Sequence, residues 1–74
     1  MPRVNALSQE GKVQQYVAAL TRETKIELMD HKISYTRIAK VLDLTPQAVS
    51  NQFRNNHITM EVYTTAQMLM RGEL

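Results

Sequence analysis

The sequence predicts an all-α fold, a small bundle of four to five helices. Three observations carry that expectation. The 74 residues include only two glycines and two prolines, and the alternation that marks a half-buried strand is missing. Apolar residues recur instead at spacings of three and four, which line one side of an α-helix. Residues suited to starting or stopping a helix punctuate the chain at Ser34, Thr45-Pro46, Thr59 and Arg71-Gly72, as helix ends require.

The first helix is expected over residues 8–20, with Ser8 as its cap and Val13, Tyr16, Val17 and Leu20 on one face. Residues 22–31 either continue it or start a second helix, because Ile26 and Met29 lie on a different face. Thr21 can cap and Glu23 suits a first turn, which favours a break near Thr21 over one long helix packed on two sides. Ser34 is the expected cap of the next helix, whose apolar face is Ile38, Ala39 and Leu42. Asp43-Leu44-Thr45-Pro46 is too short for anything but a tight turn, with Leu42 and Leu44 pinning it to the core. Asp43 stands where a left-handed backbone is needed, and Asp tolerates that better than most residues. Thr45 caps the following helix and Pro46 takes its first position, where no amide is missed. Val49 and Phe53 then face inward, one turn apart. Asn55-Asn56-His57 is a turn. Thr59 caps a last helix over residues 60–70, with Glu61 near its positive end and Arg71-Gly72 closing it.

Segment 34–55 therefore reads as a helix-turn-helix, the one stretch whose spacing points to a function. With Val49 and Phe53 inward, Gln47, Ser50, Asn51 and Arg54 face outward. Gln and Asn pair bidentately with adenine, and Arg with guanine or phosphate. The bland alternative for these four is a solvated polar helix face.

Residues 33–55 resemble the helix-turn-helix of the phage repressor and Cro family, the lambda-repressor-like DNA-binding domains. The shared elements are Ser34-Tyr35, Ile38-Ala39, Leu42, Leu44-Thr45, Val49-Ser50 and Phe53. Two positions depart from that pattern: Asp43 replaces the usual Gly, and Gln52 stands where an aliphatic residue is common. Region four of bacterial sigma factors and small terminase subunits carry similar strings. The resemblance implies that Pro46, Gln47 and Asn51 face bases, and the outward placement of Ser50 adds it to that set. It implies phosphate contacts from Tyr35 and from Arg54, Asn55 and Asn56 beyond the recognition helix; Thr36, Arg37 and Lys40 on the preceding helix are expected to join them. The implied partner is a double-stranded DNA operator.

Charge supports a nucleic-acid partner of modest strength. The net charge is +2, and its distribution says more than its size. Residues 1–31 are neutral overall, residues 32–56 carry Lys32, Arg37, Lys40 and Arg54 against Asp43, and residues 57–74 carry Arg71 against Glu61 and Glu73. The positive excess falls on the motif, as expected of a DNA-binding surface.

The remaining composition narrows the class. A single domain spanning 1–74 sits near the lower limit for an independent core and commonly gains stability by oligomerising. There is no cysteine, hence no disulfide or thiolate metal site, which suits a cytoplasmic protein. No apolar run approaches membrane-spanning length, and Met1-Pro2-Arg3-Val4 opens no signal peptide. His31 and His57 are distant from each other in sequence and read as surface or turn residues, so neither metal nor cofactor is expected. Asp30-His31 lacks an activated nucleophile, and an enzyme is not expected. On the last helix, Val62, Ala66 and Leu69 are spaced for the core. Met60, Tyr63, Met68 and Met70 exceed one stripe. Of these, Tyr63, Met68 and Met70 are a candidate homodimer surface, with the Tyr16/Val17 face as its competitor.

Two functions are thus expected to compete. One is a Cro-like, phage-type repressor that occludes a promoter as a homodimer. The other is a helix-turn-helix module that binds a protein, as an antirepressor or a factor for a repressor or RNA polymerase. A polar, neutral-to-basic outer face favours the first.

Overall fold

The computed structural model describes the backbone of residues 9–74 and the side chains of residues 12–74. The expected cap Ser8 lies outside the described residues. Four helices follow one another: α1 (Gln9–Asp30), α2 (Tyr35–Leu42), α3 (Pro46–Arg54) and α4 (Met60–Met70). There is no strand among the described residues. One core joins them, built from Leu28, Ile33, Ile38, Ala39, Val49, Phe53, Ile58, Val62, Ala66 and Leu69. α2 packs on both α3 and α4, and α1 closes the other side against α4 and α3.

α1 corrects the expected break. It runs unbroken through Thr21 for 22 residues, a span of about 33 Å at 1.5 Å per residue. Thr21 and Thr24 are buried, and neither interrupts the helix, because each hydroxyl donates back one turn. Thr21 Oγ1 donates to the Val17 carbonyl and Thr24 Oγ1 to the Leu20 carbonyl, both at 2.7 Å. Thr21 Oγ1 also accepts from the buried Ile58 amide at 3.2 Å, tying α1 to the segment that leads into α4. The stripe Val13–Val17–Leu20 continues directly into Thr24 and Leu28, which share its face at helical spacing. Burial deepens along that stripe: Val13 is 60% exposed and Leu28 1%. Among its described side chains, those buried in the core come from the C-terminal half of α1. Ile26 and Met29 form no second packing face and stand 59% and 69% exposed.

The helix ends share one device. After α1, the Ile33 amide bonds the Leu28 carbonyl at 2.9 Å and the Lys32 amide the Met29 carbonyl at 3.1 Å, with Lys32 left-handed at φ 59°. This double closure is a Schellman turn, and its apolar clasp is Leu28 against Ile33 in the core. Asn56 at φ 55° closes α3 in the same way, through His57 to Gln52 and Asn56 to Phe53. Gly72 closes α4 through Glu73 to Met68 and Gly72 to Leu69. Asp43 ends α2 at φ 58°, ψ 42°, the left-handed backbone expected for it.

Two details at the ends of α2 differ from expectation. Ser34 occupies the N-cap of α2 but its hydroxyl makes no capping bond; the Arg37 amide bonds the Ser34 main-chain oxygen instead, at 3.2 Å. Leu44 does not pin the turn to the core, because it is 42% exposed. The turn is held by its backbone, with the Leu44 amide on the Ala39 carbonyl at 2.9 Å, and by Leu42, which packs partly buried against the core. Thr45 Oγ1 accepts from the Ala48 amide at 3.1 Å and Pro46 opens α3. Thr59 Oγ1 caps α4 by accepting from Val62.

Candidate nucleic-acid interface

α3 is anchored from within and polar without. Val49 and Phe53 are buried, and their spacing turns Gln47, Asn51 and Arg54 away from the core. Gln47, Arg54 and Pro46 are exposed, while Ser50 and Asn51 are half-buried. The two amides act together: Gln47 Nε2 donates to Asn51 Oδ1 at 3.0 Å. Gln47 thereby keeps its carbonyl oxygen and one N–H, a donor–acceptor pair of the kind that matches an adenine edge. Asn51 keeps its Nδ2 donors and braces its neighbour.

Tyr35 has a task the sequence pattern did not show. Its ring stacks on Phe53, with centroids 4.6 Å apart and planes 9° from parallel. That contact fixes the start of α2 against the last turn of α3. Burial pushes the Tyr35 phenol above the ordinary tyrosine value, so the hydroxyl stays protonated near neutrality and available as a donor to an anionic oxygen.

The expected phosphate-facing set divides between two elements. Thr36, Arg37 and Lys40 are exposed on α2, and Arg54, Asn55 and Asn56 are exposed at the end of α3 and in the turn beyond. Among the described residues, the ion pair is Arg71 with Glu73 at 3.1 Å. Arg37, Lys40 and Arg54 thus have no carboxylate partner among them. Tyr63 and Met70, two of the expected interface residues, are partly buried against the core, and Met68 is half-buried. On α1, Tyr16 is 68% exposed and Val17 half-buried.

Sequence spacing missed two contributions. Gln52 Oε1 accepts from the Thr59 amide at 2.9 Å, so a residue that breaks the expected aliphatic pattern clasps the α3–α4 turn. Arg22 and Lys25 of α1 line an open groove of about 490 Å³ together with Arg54 and Asn56. The signal for them was the i, i+3 spacing of the two cations, but only packing reveals what they face. Among the described residues no cluster of three His, Cys, Asp or Glu side chains gathers, and no helix is long and apolar enough to cross a membrane.

Comparison with known protein families, with curated proteins and with solved structures returns no match to this chain.

Proposed function

We propose that this chain is a sequence-specific DNA-binding regulator in which α2, the turn at Asp43 and α3 act as a lambda-repressor-like helix-turn-helix. α3 enters the major groove and presents Pro46, Gln47, Ser50 and Asn51 to bases. Tyr35, Thr36, Arg37 and Lys40 hold the backbone on one side, and Arg54, Asn55 and Asn56 on the other. The observation that carries this reading is the outer face of α3. Its paired Gln47 and Asn51 amides are oriented by their own hydrogen bond, and they are flanked by cations that have no carboxylate partner among the described residues. Occlusion of a promoter, as in a Cro-like repressor, is the simplest mechanism for such a surface.

The working form is a homodimer, because one recognition helix reads few base pairs and a two-fold axis doubles the site. Tyr63 and Met70 are already partly spent on their own core. Val13 and Tyr16 of α1 are instead 60% and 68% exposed, which favours pairing through α1.

A titration against a random duplex pool over a salt series tests the reading. Enriched sequences with a steep salt slope are expected. Absence of binding at low salt overturns it.

A further inference from the structure

The C-terminal half of α1 sorts its charges. At about 100° per residue, Arg22 and Lys25 fall on one flank of its buried stripe, whereas Glu23, Glu27 and Asp30 fall on the opposite flank. The basic flank is the one turned toward α3. There Arg22 and Lys25 join Arg54 and Asn56 around a groove of about 490 Å³, with Thr21, Ile26, Met29 and the edge of Phe53 completing the wall. Among the described residues, no acidic side chain lines it and none of its three cations has a carboxylate within ion-pair distance. Three like charges around one concavity raise each other's energy, and a bound anion relieves all three.

We propose that this groove is a phosphate-binding site, and that its occupant is the DNA backbone flanking the recognition helix. The assignment deepens the DNA-binding reading above and rests on it. Arg54 is the shared residue: it closes α3 and lines the groove, so a strand passing the end of α3 meets Arg22 and Lys25 next. Arg22 presents a planar fork that takes two phosphate oxygens, and Lys25 a point charge. α1 then serves as a third backbone-holding element, fixing how far α3 tilts in the groove.

The test uses the full chain and two labelled duplexes, one of random sequence and one enriched from a random pool. Fluorescence anisotropy over a salt series is compared for wild type, Arg22→Gln/Lys25→Gln, and Lys12→Gln/Arg71→Gln. The last variant removes the same net charge at exposed positions outside the groove. The groove variant is expected to lower the log–log salt slope by about two and to weaken both duplexes alike, with the control unchanged. Thermal melting monitors folding, and unchanged melts are expected for these exposed side chains. A wild-type slope in the groove variant, with DNA binding intact, overturns the phosphate site and leaves the DNA reading standing. Failure of wild type to bind either duplex overturns both. Binding of an acidic amphipathic peptide through Arg22 and Lys25, in place of duplex, assigns the groove to a protein partner and also overturns the proposal.

Discussion

Replacing Thr21 by valine separates a structural hydroxyl from a decorative one, because Thr24 supplies the comparison on the same helix. Valine matches threonine in shape, so neither change opens a cavity. In Thr21→Val the buried Ile58 amide loses its 3.2 Å acceptor, and an orphaned buried donor costs about 1–3 kcal/mol. In Thr24→Val the lost bond is the 2.7 Å return to the Leu20 carbonyl, which keeps its helical amide partner. That change is expected to stay within ~0.5 kcal/mol or to stabilise. For a domain of this length total stability is roughly 4–11 kcal/mol, so the first loss is a large share of it. Each kcal/mol moves the melting point of so small a domain by about 4–8 °C. Urea unfolding is the assay, read as a fall in midpoint at constant slope. Thr21→Ser, which keeps the hydroxyl, should recover most of the loss. Equal effects of Thr21→Val and Thr24→Val would refute the reasoning, and so would a harmless Thr21→Val.

Other outcomes follow from the same geometry. Asn51→Ala is expected to cost ~1–3 kcal/mol on the enriched duplex and far less on random DNA. With Gln47→Ala it should combine non-additively in a double-mutant cycle, because each amide orients the other; equal losses on both duplexes would remove the base-reading role. Light scattering over a concentration series should show a dimer that Tyr16→Glu dissociates and Met70→Glu disturbs less, whereas a monomer at all concentrations defeats the dimer. The raised Tyr35 phenol favours the folded state fully below the unfolded tyrosine pKa, and this contribution is lost as pH climbs through the folded value. The alkaline fall in stability should therefore be shallower in Tyr35→Phe, as measured by urea midpoints from pH 8 to pH 11, and an unchanged fall would exclude Tyr35 as its source.

The helices whose ends carry local chemistry were legible. Thr45 and Pro46, Asp43, Thr59, and Gly72 after Arg71 each act through neighbours within five residues, so spacing alone places the ends of α3 and α4. The inward residues Val49, Phe53, Val62, Ala66 and Leu69 were legible for the same reason. α1 was misread because a hydropathy pattern counts Thr as polar or as a cap. Thr21 is buried and hydrogen-bonded to an amide 37 positions away, a partner no local window contains. Leu44 looked like an anchor because it is apolar, yet the turn around it is closed by main-chain bonds. On the interface, the outward set of α3 followed from the inward one. The bond between Gln47 and Asn51 depends on rotamers, and the meeting of Arg22 with Arg54 depends on how α1 lies against α3, so neither was available from spacing.

In the proposed α1-paired dimer, the outer half of α1 would have a local stability set by mass action. Helical stretches of fewer than about 12–15 residues are marginal in water without packing. From Lys12 to Tyr16 every side chain of α1 is exposed. Those turns draw their order from the seated half of the same helix, and their opening free energy lies near the bottom of the scale for this fold. A second α1 laid across Val13 and Tyr16 would raise it, by an amount that grows with the logarithm of protein concentration. Amide protection at residues 13–17 then becomes an internal gauge of assembly, changing with dilution while the amides of α3 and α4 hold steady.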